Sequence, residues 1–169
     1  SFLFFIGRFL FTFFVLSFLY SLYLVYTERQ GDLDLVTYWI SRGSHEFALM
    51  AGVADCEWSC FLEGCYVGRP GRMVNILEGD NGLRLAIVYG AYVIGIGGFN
   101  WRSFAQMFIG LFVVQVFNVI RIGSLIALRD YGGDIYFYFI KYVFGLWIYG
   151  SVILLWILKP KIDKMLGSK

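Results

Sequence analysis

An arginine in an almost wholly apolar setting is the residue of this sequence best placed for chemistry. Arg121 lies in Asn118-Val119-Ile120-Arg121-Ile122, late in a long hydrocarbon and aromatic stretch. A guanidinium cannot shed its charge, so at that depth it must meet a partner, water or a developing negative charge. Asn118 is three residues away on the same helical face. The pair therefore reads as an inward polar stripe, with snorkelling of Arg121 to the headgroups as the competing reading. Asp80 and Arg84 stand at the start of another apolar stretch, and they form an i, i+4 ion pair if a helix has begun by Asp80. Otherwise Asp80 interacts with a helix N-terminus that Asn81 and Gly82 introduce. Lys141 opens a further apolar stretch, where snorkelling is the default.

The cysteines are Cys56, Cys60 and Cys65, spaced C-x3-C-x4-C. In an oxidising compartment one disulfide and one spare thiol are expected, with the pairing open; free thiols are the alternative. Metal or iron–sulfur binding fits less well, because three thiolates lack a nearby fourth ligand and the single histidine, His45, would have to supply it.

These side chains need elements to hold them, and the composition names the solvent. Of 169 residues 59% are hydrophobic and 15% charged, against roughly 45–50% and 25% in soluble domains. A core of this size cannot hide so many large apolar groups, so an all-α integral membrane protein is expected. The formal charge of +2 excludes a nucleic-acid-binding role.

Four spans are expected, at about residues 2–26, 83–99, 104–128 and 135–158. The first covers about 37 Å as a helix, enough to cross a bilayer. It is longer than the apolar part of a signal peptide and no small-x-small cleavage pattern follows, so it reads as uncleaved. The second span is short and carries Gly90, Gly95, Gly97 and Gly98, with the small pairs Ala86/Gly90 and Ala91/Gly95, which mark an interior helix. Lys159, Lys161, Lys164 and Lys169 against Asp163 place the tail, 159–169, in the cytoplasm. Four crossings put the N-terminus there as well. Residues 27–82 then lie outside, where nine carboxylates stand against four arginines. Within that segment, Leu33 to Met50 reads as an interfacial or re-entrant helix. Cys56 to Asn75, punctuated by Gly64, Gly68, Pro70 and Gly71, reads as a loop or short hairpin. In this topology Asp80, Arg84, Asn118, Arg121 and Lys141 converge at the outer face, with residues 129–134 as an outer turn.

Three motifs carry a resemblance. Leu77-Glu78-Gly79-Asp80-Asn81-Gly82-Leu83 before an apolar helix, Asn118-Val119-Ile120-Arg121-Ile122 late in the next, and Ile140-Lys141-Tyr142-Val143-Phe144 followed by Ile148-Tyr149-Gly150 together resemble the exosortase family, most closely its short Bacteroidetes-type members. The resemblance implies a membrane-embedded cysteine transpeptidase or protease that processes C-terminal sorting tails at the outer face of the bacterial inner membrane. That chemistry uses a thiolate nucleophile, an arginine and a histidine. Arg121 fills the arginine position. The cysteine position, Glu-Gly-Cys in the family, is Asp80, and the histidine position is Ile140. Leu62-Glu63-Gly64-Cys65 mimics Glu-Gly-Cys, but no membrane helix follows it. Carboxylate attack on an amide would give a mixed anhydride rather than the family's thioester, and isoleucine transfers no proton.

The expected function is therefore a non-catalytic exosortase-like subunit, scaffold or assembly factor of a larger membrane complex, with other integral membrane proteins and the lipid bilayer as partners. An altered but active sorting-tail protease and a small ligand-binding or transport protein are the alternatives. No cofactor is expected, and a bound lipid or pigment stays open.

Overall fold

The computed structural model describes residues 2–165; within 133–165 many side chains, those of Ile140 and Lys141 among them, lie outside the described residues, as does Lys169. Helix α1 (Phe2–Gln30) is followed by α2 (Leu35–Met50), strands β1 (Glu57–Phe61), β2 (Gly64–Gly68) and β3 (Val74–Ile76), a single 3-10 turn at Glu78–Asp80, α3 (Leu83–Gly97) and α4 (Trp101–Met165). Two stretches, Phe2–Gln30 and Trp101–Gly132, are helical, long and apolar enough to cross a membrane. At 15 residues, α3 is about 22 Å long, short of a full hydrocarbon thickness.

The expectation of an all-α chain needs correction. Residues 57–76 form an antiparallel meander in the order β1-β2-β3, with Cys60 opposite Cys65 across a two-residue turn. Alternation explains it. Cys65 and Val67 in β2, and Val74 and Ile76 in β3, point to one buried face, while Tyr66 and Asn75 point away. Of the two readings of Cys56 to Asn75, the hairpin is the one the chain adopts, and a third strand extends it. Cys60 and Cys65 form the disulfide and Cys56 is the free cysteine.

The expected outer turn at 129–134 also differs, because the backbone from Trp101 to Met165 is helical throughout. No proline interrupts residues 101–158, so every residue there can donate to the helix ladder. The element is nevertheless bent back on itself. Arg121 and Tyr149, which a straight helix would hold about 42 Å apart, line one cavity, and Val114 shares a core with Leu155. Both pairs are centred close to Gly132-Gly133, the kind of small-residue pair at which helices kink.

Two apolar cores result. One packs Ala86, Tyr89 and Val93 of α3 against Val114 and Leu155 of α4. The other packs the buried face of the sheet, Val67, Val74 and Ile76, between Ile40 and Ala48 of α2 and Ile122, Leu125 and Ile126 of α4. Helix α2 starts from an Asp34 cap, whose carboxylate accepts the Thr37 N–H at 2.9 Å. It then runs alongside α4 in the same direction, Gly43 facing Val119 and Phe47 facing Gly123. The sheet is fastened by Trp58, whose indole N–H donates to Ser41 Oγ at 3.0 Å, and by Arg69, 3.3 Å from the Asp130 carboxylate. Arg72 and Arg129 reach carbonyls across the same seam, on Asp130 and Met73 respectively.

The tightest approach in the first core is Gly110, where any Cβ would fall inside the Tyr89 ring. Gly110→Val is expected to wedge α3 from α4 and to cost about 1–3 kcal/mol, the usual range for overpacking. Thermal unfolding of the purified protein, with Gly7→Val as the control in open space, checks it.

Candidate functional site

The segment Glu78–Gly82 joins the two cores and is tied down from both sides. After the 3-10 turn the chain reaches Gly82, which adopts φ +71° and turns the backbone into α3. A residue with a Cβ is strained there. The turn has a direct consequence for the expected Asp80–Arg84 pair: the helix has not begun at Asp80, so the i, i+4 geometry never arises. Arg84 instead lies 3.6 Å from Glu78, and Asp80 faces Arg121.

On the α4 side, three residues close a circuit. Asn118, fully buried, donates its amide to the Asp80 carbonyl at 2.7 Å and accepts the Arg121 Nε–H at 3.1 Å. Arg121 Nη2 then lies 3.8 Å from the Asp80 carboxylate, whose other oxygen accepts the Leu77 N–H at 3.4 Å. The Arg121 side chain is 14% exposed and that of Asp80 42%, so the pair sits at a boundary rather than in the interior. On the α1 side, the buried Asn81 donates to Tyr20 Oη at 3.0 Å and accepts the Leu83 N–H at 2.9 Å. Tyr20 passes its own proton towards Glu78 at 3.4 Å.

Above this circuit lies a cavity of about 460 Å³, walled by Asp80, Arg84, Arg121 and Tyr149 over the apolar Leu85 and Val88. The structure thus brings four of the singled-out residues, Asp80, Arg84, Asn118 and Arg121, to one place. Ile140 and Lys141 lie outside the described residues. No thiol or imidazole is found among the described residues of the wall. His45 is engaged elsewhere: its Nε2 is 3.1 Å from the Cys56 carbonyl and its Nδ1 is 3.8 Å from Glu46. Among the described residues no three His, Cys, Asp or Glu side chains gather as a metal site. What the arrangement can do chemically is neutralise charge in pairs, two guanidiniums against two carboxylates, beside an apolar wall.

Tyr20 and Asn81 are the residues whose roles the sequence alone did not disclose. A signal existed for Tyr20, since Tyr20, Tyr23 and Tyr26 recur every three residues at the end of a Phe- and Leu-rich run. Tyrosines so placed present an apolar body and a polar tip. Cys65, sealed in its disulfide and fully buried, has no free thiol.

Set against models of known protein families, curated sequences and solved structures, the chain matches none.

Two outcomes test the geometry. Asn118→Leu strips the Asp80 carbonyl and the Arg121 Nε–H of their partner and is expected to cost about 2–3 kcal/mol, more than Arg121→Ala at about 1–2 kcal/mol, whose carboxylate partner can turn to water. Paired thermal melts of the two variants give the ranking. Cys56 supplies the second. Burial pushes its thiol above the ordinary range, the Asp130 charge adds to this, and the Gly68 N–H opposes it. Its thiolate is therefore scarce at neutral pH. Alkylation of the native protein should be slower than that of the urea-unfolded chain at pH 7.5, with the gap narrowing as pH rises.

Proposed function

We propose that this chain is an integral membrane protein of exosortase type that has given up catalysis and serves as a subunit, scaffold or assembly factor of a larger complex in the bacterial inner membrane. The observation that carries the reading is the Asp80–Arg121 pair. In the family the resemblance invokes, the position of Asp80 holds a thiolate and the arginine answers charge that develops on the substrate. Here the arginine faces the Asp80 carboxylate at 3.8 Å and is held by Asn118. Its charge is already answered in the resting state, and an interaction equally strong before and during a reaction accelerates nothing.

The membrane part of the proposal is supported by the two long apolar helices and by their aromatic faces, such as Phe4, Phe11, Phe14 and Phe18 along α1, all more than half exposed. Soluble proteins do not present such continuous apolar area to water. The sorting of charge, lysines after residue 158 and carboxylates between residues 27 and 82, supports both termini in the cytoplasm with the sheet outside. A second reading, binding of a small zwitterionic ligand, has the cavity walled by Asp80, Arg84 and Arg121 in its favour.

Gentle detergent extraction of the full chain is expected to recover it with other membrane proteins at fixed stoichiometry; a monodisperse single chain would sink the subunit role. Membranes containing the protein should leave a sorting-tail reporter uncut. Cleavage that disappears in Arg121→Ala would instead establish a working protease.

A further inference from the structure

Arg84 and Arg121 line one cavity, and neither guanidinium is saturated by its carboxylate. Arg121 Nη2 stands 3.8 Å from Asp80 and Arg84 Nη2 stands 3.6 Å from Glu78, both beyond hydrogen-bond reach. Arg121 donates its Nε–H to Asn118 at 3.1 Å, and a guanidinium carries further N–H donors on its two terminal nitrogens. The cavity of about 460 Å³ is open to a ligand, since the Arg84 side chain is 74% and that of Asp80 42% exposed. Its size falls among small-molecule sites, roughly 300–1,000 Å³. Helix α3 adds to the same wall. Gly82, Arg84 and Leu85 line the cavity, and no acidic residue occupies the first turn, whose N–H groups have no partner within the helix. Two guanidiniums beside a helix N-terminus select an anion, a phosphate above all. Asp80 sets a second condition, because a purely anionic ligand would face its carboxylate. A zwitterion meets both.

The height of the cavity says where such a ligand comes from. Along α4 Arg121 lies about 30 Å from Trp101, and bilayer hydrocarbon is about 30 Å thick. On the membrane reading above, on which this inference rests, the cavity is level with the outer headgroups. Leu85 and Val88 lie three residues apart on one face of α3, so they carry an apolar wall from that level towards the hydrocarbon. Tyr149, which also lines the cavity, is of a type enriched at that boundary. A water-soluble zwitterion would leave the apolar wall wet.

We infer that this cavity holds the headgroup of an ethanolamine phospholipid from the outer leaflet. The phosphodiester sits between Arg84 and Arg121, the ammonium turns to the Asp80 carboxylate, and one acyl chain descends along Leu85 and Val88. Ethanolamine and choline differ at the end that meets Asp80. A primary ammonium donates N–H groups to a carboxylate, whereas a quaternary one has none and is recognised by aromatic cages. Among the described residues of the wall Tyr149 is the single aromatic. A phosphatidylglycerol brings the phosphate without the ammonium and leaves Asp80 opposed to it.

The test uses the full chain, extracted in mild detergent from membranes washed in alkaline carbonate and then freed of lipid. It is titrated with phosphatidylethanolamine, phosphatidylcholine and phosphatidylglycerol of one chain length, and bound lipid is read by native mass spectrometry. The ethanolamine lipid is expected to bind one per chain, about tenfold tighter than the other two. Arg84→Gln should weaken it about tenfold; Arg29→Gln, at an exposed arginine ending α1 and outside the cavity, should not. Asp80→Asn keeps the backbone carbonyl that Asn118 holds, and it should abolish the preference for ethanolamine over glycerol headgroups. A damaged fold would weaken all three lipids alike. Glycerophosphoethanolamine, the same headgroup without chains, should not displace the lipid at equal concentration. Equal binding of the three lipids, binding unchanged in Arg84→Gln, or a preference unchanged in Asp80→Asn overturns the site while the membrane reading stands. Displacement by the chainless compound overturns the lipid and makes a soluble zwitterion the ligand. Release of the chain by carbonate overturns the membrane reading, and this inference with it.

Discussion

Everything in this fold turns on how one short, non-helical segment is held. Glu78–Gly82 leaves the sheet, enters α3 and touches both long helices, yet it has only a single 3-10 turn of its own. Its side chains and the Asp80 carbonyl are held from outside. Asn118 meets the Asp80 carbonyl and Arg121 meets its carboxylate, while Tyr20 engages Asn81 and Glu78. Buried irregular backbone survives only where such partners exist. Asn118 is the pivot of the set, because its donor and its acceptor are both engaged and no solvent reaches it.

The two apolar cores depend on that fastening. One lies where α3 packs on α4 around Gly110 and Tyr89, the other where the sheet is sandwiched by α2 and the Ile122–Ile126 stretch of α4. Helix α4 contributes to both, and Glu78–Gly82 connects the sheet to α3 along the chain. The polar circuit therefore sets the height and angle at which one core sits on the other. Buried polar networks are known for fixing geometry more than for adding stability, and the half-exposed Asp80 carboxylate suits that role. Arg121 takes part in that circuit through both Asp80 and Asn118.

Much of the arrangement was legible in the chain itself. Long apolar runs marked the helices, the charge pattern within them singled out Asp80, Arg84, Asn118 and Arg121, and the cysteine spacing promised one disulfide. Four features were legible in part or not at all, each for a physical reason. The sheet was legible only as a loop or short hairpin, because its strands are three to five residues long, and over such lengths alternation is hard to tell from chance. The Asp80–Arg84 spacing left an ion pair and a helix-entry turn both open, because Gly82 announces a turn without saying on which side the helix starts. The helical course of α4 through residues 129–134 was hidden by Gly132-Gly133 and the charges around it, which read as a loop in any local window. Tyr20 is the instructive case: its partners lie 58 and 61 residues away, and no pattern confined to its own helix reveals them.

Those separations bear on how the chain is assembled as it is made. The side chains that hold Glu78–Gly82 arrive at different times: Tyr20 is already present when the segment emerges, while Asn118 and Arg121 follow about 40 residues later. At a synthesis speed of roughly 5–20 residues per second, the segment spends some seconds with only its α1 partner available. During that interval the sheet also lacks the Ile122–Ile126 surface that closes its core. The arrival of one stretch of α4 completes both at once, so the nascent chain gains its definitive shape in a late, concerted step rather than helix by helix.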